Sequence, residues 1–156
     1  MTTDASITLW ETDLLAELAA QRYGLLDQLR ALGKQQLDFI EQADMTQLML
    51  LLSAKHHLLA ELHQVEKRLD PYRGQDPETR RWRNSQTRER CAELVAKSDL
   101  ALREILEQEK LGEARMREHR DEAAARLRTA HAAGHARTAY TKSAPHTGRI
   151  DLSTER

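Results

Sequence analysis

Residues 45–69 read MTQLMLLLSAKHHLLAELHQVEKRL, and this stretch decides the fold class. Leucine recurs along it in alternating steps of three and four, which is the spacing of a coiled-coil seam. Asp44 and Gln47 form a capping-box pattern at its start. The stretch therefore predicts an α-helix over residues 44–69, with Leu59 buried between two neighbouring helices. The predicted seam is Met45, Leu48, Leu52, Lys55, Leu59, Leu62, Glu66 and Leu69.

Composition extends the helical prediction to the whole chain. The 156 residues include 24 Leu but only 7 residues of Ile, Val and Phe together, a mixture that favours helices over sheets. Three Pro and six Gly leave few turns, so the helices are expected to be few and long. Apolar residues at helical spacing predict a first helix over residues 7–42. Asp76 and Pro77 predict the start of a third helix over residues 78–112.

The predicted architecture is all-α, with three long helices in an antiparallel coiled-coil bundle that occupies residues 1–112. Between residues 113 and 133 the only large apolar residues are Met116 and Leu127, while alanine and charged residues keep the helix propensity high. We therefore expect a helical extension over 113–133 that protrudes from the bundle. Residues 134–156 have almost nothing to bury and are predicted to form a disordered tail.

The sequence offers little for catalysis or for metal binding. Cys91 lies on the predicted third helix, where it is expected to be a small buried hydrophobe. His131 and His135 have the four-residue spacing of a zinc-chelating pair, but no Glu stands where it would activate a water. No glycine-rich phosphate loop and no Gly-x-Ser-x-Gly turn is present. We therefore expect no enzymatic activity, no cofactor and no bound metal.

Three features of the sequence predict a cytoplasmic protein. The single cysteine, Cys91, cannot close an intrachain disulfide. The N-terminal residues carry no basic region followed by a long apolar run. The longest apolar block, residues 48–52, is far too short to span a membrane, so no integral membrane segment is expected.

Charge is distributed unevenly along the chain. Residues 1–70 carry 6 basic and 11 acidic side chains, whereas residues 71–156 carry 18 basic and 14 acidic ones. An arginine cluster from Arg80 to Arg90 surrounds Trp82 and has two interpretations. It is either an RNA-binding or membrane-surface module, or a solvated segment that pairs with the acidic first half. The second is favoured because acidic residues are interspersed throughout, so no nucleic-acid partner is expected.

Three segments of the chain resemble the FlgN-like family of flagellar export chaperones. They are residues 25–29 (LLDQL), 51–62 (LLSAKHHLLAEL) and 98–106 (SDLALREIL), and the similarity covers roughly residues 7–142. The resemblance implies a cytosolic, non-enzymatic protein that binds hook–filament junction proteins before secretion and delivers them to the flagellar type III export gate. It also implies partner contacts in the C-terminal helix and tail, with Tyr140 as the residue that docks at the export apparatus.

The predicted extension offers a thin apolar seam on which the amphipathic helix of a cargo protein could lie. The main alternative is a structural coiled-coil adaptor that self-associates, and the expected state is a monomer or weak dimer. The predicted cargo-binding residues are Leu111, Met116, Ala123, Leu127 and Ala130.

Overall fold

The computed structural model describes residues 2–143, with side chains described from Thr8 onward. Within that range the chain is all-α, as the sequence predicts, and no residue lies in a β-strand. A short 3₁₀ turn separates the last two helices. The elements are α1 (Thr2–Glu41), α2 (Met45–Arg73), the 3₁₀ turn (Pro77–Thr79) and α3 (Ser85–Ser143).

The chain divides into two compact units, the first ending at Arg115 and the second beginning at Met116. In the first unit, α2 returns antiparallel to α1 after a tight turn in which Ala43 adopts a φ of 53°. The backbone N–H of Gln47 donates to Asp44 Oδ1 at 3.2 Å, so Asp44 caps α2 as predicted.

The first part of α3 runs in the same direction as α1. Near its beginning, Arg83 forms an ion pair with Asp13 of α1 at 2.6 Å. At the other end of α1, Ile40 lies beside Gly112 of α3. The first unit is therefore an up-down-up bundle of three helices, in which consecutive helices are antiparallel.

The register of α2 differs from the predicted one. Leu59 is 44% exposed rather than buried, and Met45 and Leu52 are exposed as well. The residues that face α1 and α3 still alternate in steps of three and four. However, Leu51, Leu58 and Val65 occupy the positions that the sequence predicts for Leu52, Leu59 and Glu66. The observed seam is Leu48, Leu51, Lys55, Leu58, Leu62, Val65 and Leu69.

The α3 face toward α1 and α2 is built largely of small and polar residues. Ala101 is fully buried and packs against Leu26 and Leu29 of α1. The two helices approach closely at Gly112, which has no side chain. A Cβ placed there would lie 3.5 Å from Ile40 Cδ1. The observed α3 seam is Cys91, Leu94, Ser98, Ala101, Ile105, Gln108 and Gly112.

A polar layer joins the three helices near the α1–α2 turn. Lys55 of α2 forms an ion pair with Glu109 of α3 and donates to Gln36 Oε1 of α1 at 3.1 Å. Gln108 Nε2 donates to the backbone carbonyl of Arg30 at 3.1 Å. A charged residue inside a heptad seam is stable only when its partners are in register, so this layer favours one alignment of the helices.

Two predicted helix boundaries near the α2–α3 connection are wrong. Helix α2 continues to Arg73 instead of ending at residue 69, and it includes Pro71 in its last turn. Helix α3 starts at Ser85 instead of 78, because Asp76 caps only the 3₁₀ turn and Arg80 is extended. Asn84 provides the α3 cap, since its Oδ1 accepts from the backbone N–H of Thr87 at 2.8 Å.

The prediction of disorder from residue 134 is wrong up to Ser143, because α3 continues to that residue. Helix α3 also passes through Gly112 and the predicted extension of 113–133 without a break. The disorder prediction considered only how little apolar surface the segment can bury. The helix is instead stabilised by its local hydrogen bonds and by the helix propensity of alanine. The remainder of the predicted tail, residues 144–156, lies outside the described residues.

Candidate partner-binding surfaces

A row of apolar and histidine side chains runs along the exposed side of α2, and we call it the α2 stripe. Its spacing alternates between four and three residues, so its members lie within about 80° of one another around the helix. Met49 and Leu59 are 64% and 44% exposed. The row therefore has the geometry of a second coiled-coil seam without a partner in the first unit. Its members are Met45, Met49, Leu52, His56, Leu59 and His63.

The sequence of α2 along most of the α2 stripe is almost free of charge. Between Met45 and Ala60 the sequence contains one charged residue, Lys55, and its side chain is directed into the polar layer. Exposed apolar side chains that are not interrupted by charges are typical of protein-binding surfaces. Methionine adds adaptability, because its flexible thioether fits partners of different shape.

The sequence prediction missed the α2 stripe because it placed Met45, Leu52 and Leu59 in the core. One signal in the sequence distinguishes the two registers. The observed seam places Val65 in the core, whereas the predicted seam uses the charged Glu66 instead. The register with fewer polar interruptions is the one that the structure adopts.

Four of the five predicted cargo-binding residues lie on the α3 helix of the second unit. These residues are Met116, Ala123, Leu127 and Ala130, and successive members are seven, four and three positions apart, which places all of them within about 60° of one another around an α-helix. Met116 and Leu127 are both exposed, Leu127 by 71%. The fifth residue, Leu111, is exposed but belongs to the first unit.

The helix of the second unit is held by local interactions. Glu122 and Arg126 pair at 3.8 Å in the favourable order along the helix. The Thr129 hydroxyl donates to the carbonyl of Ala125 at 2.9 Å, and the Thr138 hydroxyl to that of Gly134. Tyr140, the predicted docking residue, projects from this helix with 79% of its surface exposed.

Two histidines of the second unit, His131 and His135, lie in contact. Nε2 of His131 lies 3.2 Å from Nε2 of His135, and the two rings meet edge to face. Across the described part of the chain, no three His, Cys, Asp or Glu side chains come together in a way that could hold a metal ion.

The arginine cluster is partly used for contacts inside the first unit. Arg83 pairs with Asp13 of α1, which is the kind of contact that the second interpretation predicts. Arg80 Nη2 donates to the backbone carbonyl of Tyr72 at 2.7 Å. The backbone carbonyl of Arg81 accepts a hydrogen bond from the Thr12 hydroxyl at 2.8 Å, so this segment is fixed against α1.

Cys91 is buried in the apolar core between α1 and α2, beside Leu15 and Leu69. Burial raises the pKa of the Cys91 thiol, and the nearby charge of Arg80 offsets only part of this effect. A thiol with a raised pKa is a weak nucleophile, so Cys91 has the chemistry of a core residue.

Among residues 2–143, no helix carries an apolar segment of the length and hydropathy that crossing a bilayer requires. No protein-family model, curated protein or solved structure matches the chain. Its function is therefore inferred from its own side chains and from the resemblance of the three segments quoted above.

Proposed function

We propose that this protein is a cytoplasmic, non-enzymatic chaperone of flagellar type III export, of the FlgN type. It binds hook–filament junction proteins before they are secreted and delivers them to the export gate. One structural observation carries the proposal beyond the resemblance. The helix from Met116 to Ser143 exposes each of its large apolar side chains, namely Met116, Leu127 and Tyr140.

A helix of this kind gains stability when it binds a partner. On its own it depends on helix propensity and on weak ion pairs, each worth about 0.2–0.5 kcal/mol. A cargo helix packed along Met116, Ala123 and Leu127 would bury apolar surface on both chains. The small side chains of Ala123 and Ala130 would allow the cargo helix to approach closely, between the larger side chains of Met116 and Leu127.

Cargo binding can be tested by calorimetric titration of the full chain with the hook–filament junction proteins of the same genome. The double variant Met116→Gln with Leu127→Gln should lower the affinity at least about tenfold, because each change removes an apolar contact. The matched control is Met49→Gln with Leu52→Gln, which makes the same two changes on the α2 stripe. All four residues are exposed, so both variants should fold, and circular dichroism checks this.

The two double variants separate the possible results. Loss of affinity in the first and not in the second places the cargo on the second unit. Loss in the control variant alone would move the cargo site to the α2 stripe. The chaperone proposal fails if no junction protein binds the unaltered chain.

Docking at the export gate is assigned to Tyr140. The substitution Tyr140→Ala should leave cargo affinity unchanged and weaken binding to the cytoplasmic domain of the export gate. Tyr140→Phe retains the ring and serves as the matched control. Equal gate binding by the Ala variant and the unaltered chain would remove Tyr140 from this role.

The α2 stripe favours a second candidate function, a coiled-coil adaptor that self-associates. Two identical uncharged stripes can pack antiparallel about a twofold axis without charge repulsion. Leu52 of one copy would then meet His56 of the other, and Met49 would meet Leu59. Sedimentation velocity over a range of concentrations tests this, since Met49→Gln with Leu52→Gln should abolish any dimer that forms. A chain that stays monomeric at all concentrations contradicts the adaptor.

A further inference from the structure

The charge pattern of α3 changes abruptly at residue 123. From 85 to 122 the helix carries ten acidic and eight basic residues, whereas from 123 to 143 it carries no acidic residue at all. We call residues 123–143 the basic segment, and it lies entirely within the second unit. Its Arg and Lys residues are Arg126, Arg128, Arg137 and Lys142, and two histidines, His131 and His135, lie among them.

Most cations of the basic segment lack a counter-charge. Arg126 pairs with Glu122 at 3.8 Å, but both side chains are largely exposed. Among the carboxylates of the described residues, none lies within ion-pair distance of Arg128, Arg137 or Lys142. The helix dipole favours cations only in the last turn, so it accounts for Lys142 alone. Because like charges repel one another, a negatively charged partner would stabilise this helix.

The basic side chains stand on both sides of the cargo seam, which consists of Met116, Ala123, Leu127 and Ala130. The centre of this seam lies midway between Ala123 and Leu127 around the helix. Arg126 and Arg137 lie about 60–80° from the centre on one side, and His131 lies about 60° from it on the other. Residues at such angles to an apolar seam form the ion pairs between helices of a coiled coil. A helix docked on the cargo seam would therefore place its own flanking side chains beside these basic groups.

The density of charge favours a protein helix over a nucleic acid. The basic segment has four Arg and Lys residues along about 30 Å, or one charge per about 8 Å. Duplex DNA presents one negative charge per about 1.7 Å, so most of its phosphates would find no cation here. Acidic residues that flank the seam of a coiled-coil helix recur about once per heptad on each side, which is of the same order as the spacing of the cations.

The apolar residues of the basic segment disfavour a membrane surface. Helices that lie in the membrane interface carry a broad apolar face of Trp, Phe or Leu. In the basic segment the only large apolar side chains are Leu127 and Tyr140, and the other residues of the cargo seam there are alanines. A narrow seam of this kind fits the narrow apolar face of one partner helix.

We propose that the basic segment binds an acidic amphipathic helix. The partner places apolar side chains on the cargo seam and Asp or Glu at the positions that flank it, where they form ion pairs with Arg126 and Arg137 and accept a hydrogen bond from His131. The proposal rests on the proposed function, because it takes the same seam as the docking surface, and it adds the charge of the cargo segment. Selection among amphipathic helices then depends on charge.

The test uses three synthetic helical peptides of about six turns. They share one seam of leucine and alanine and carry Glu, Gln or Lys at the flanking positions. Their affinity for the full chain is measured by fluorescence anisotropy in about 0.05 M and about 0.5 M NaCl. At low salt the Glu peptide should bind at least about tenfold more tightly than the Gln peptide, since each of several exposed ion pairs contributes about two- to threefold. The Lys peptide should bind most weakly, and high salt should remove most of these differences.

Variants of the full chain assign the effect to particular residues. Arg126→Gln with Arg137→Gln should reduce the affinity for the Glu peptide to that for the Gln peptide and leave the latter unchanged. Arg126→Glu with Arg137→Glu should reverse the preference in favour of the Lys peptide, which a merely structural effect would not do. Arg88→Gln with Arg90→Gln is the matched control, because it removes two exposed arginines from the part of α3 that belongs to the first unit. Circular dichroism checks that each variant remains helical.

Equal binding of the Glu and Gln peptides would overturn the proposal. So would tighter binding to a single-stranded RNA of about 20 nucleotides or to phosphatidylserine vesicles than to the Glu peptide, since either result would indicate a different class of partner. The proposed function and the acidic partner fail separately. Binding of the Glu peptide through Arg126 and Arg137, without binding of any junction protein, refutes the chaperone function alone. Junction proteins that bind the unaltered chain and the Arg126→Gln with Arg137→Gln variant equally well refute the acidic partner alone.

Discussion

Leu51 and Leu52 are adjacent in sequence, but their side chains differ sharply in burial, at 5% and 39% exposed. The substitution Leu51→Ala removes three carbons from the core, which corresponds to about 2.4 kcal/mol of transfer free energy at about 0.8 kcal/mol per carbon. The cavity that remains raises the loss to about 3 kcal/mol. Leu52→Ala leaves no closed cavity and gains slightly in helix propensity, so its loss should be about 1 kcal/mol or less.

The two variants can be compared by thermal and urea unfolding, followed by circular dichroism and tryptophan fluorescence. At about 4 °C per kcal/mol, Leu51→Ala should lower Tm by about 12 °C and Leu52→Ala by about 4 °C or less. The comparison is internally controlled, because the residue type, the substitution and the helix are the same. If Leu52→Ala proved the more damaging of the two, the α2 seam would run through Leu52 and Leu59, and the α2 stripe would not exist.

Two further predictions concern pH and helix packing. Burial alone would raise the pKa of Glu66, but hydrogen bonds from Arg22 and Arg73 hold it below its ordinary value. The unfolded chain therefore takes up the proton first as pH falls. The stability from Glu66 is present above about pH 4.5 and is lost as pH falls through the folded pKa. Urea unfolding over this range should show the loss, and Glu66→Gln should reduce its slope; an unchanged slope would mean that Glu66 is not the group responsible. Gly112→Ala should stabilise the chain by about 0.5–1 kcal/mol, because its Cβ would make an ordinary 3.5 Å contact with Ile40 while helix propensity improves. Gly24→Ala, with nothing within 4 Å of its Cβ, is the control, and a lower Tm for Gly112→Ala alone would show that α1 and α3 are too close for a methyl group.

The sequence predicts local features of this fold better than it predicts helix rotation. The Asp44 cap is recognisable because a cap depends on residues close together in sequence. The rotation of α2 is harder, because the pairs Leu51–Leu52 and Leu58–Leu59 satisfy both registers equally well. Only Val65 against Glu66 distinguishes them, so a single residue decides which side of the helix is buried.

The core face of α3 illustrates a second limit. Searching for large apolar residues finds Leu94 and Ile105, but it misses Ala101 and Gly112, which are both buried. Small residues become core residues only when a neighbouring helix comes close enough to cover them, and this depends on side chains of α1 such as Ile40. Sequence periodicity of one helix cannot supply that information.

The difficulty of predicting helix rotation also explains why the sequence did not reveal the α2 stripe. The α2 stripe is exposed because Leu51, Leu58 and Val65 occupy the core, so an error of one position in register exchanges a binding surface for a hydrophobic seam. The α2–α3 connection depends on the late start of α3, which leaves Arg80 in an extended conformation before the helix. Had α3 begun at residue 78, Arg80 would lie in the first turn of the helix, and its backbone would follow the helix instead of the path that now brings Nη2 to the Tyr72 carbonyl. The position of the α3 cap at Asn84 therefore determines whether Arg80 can join the connection to the end of α2.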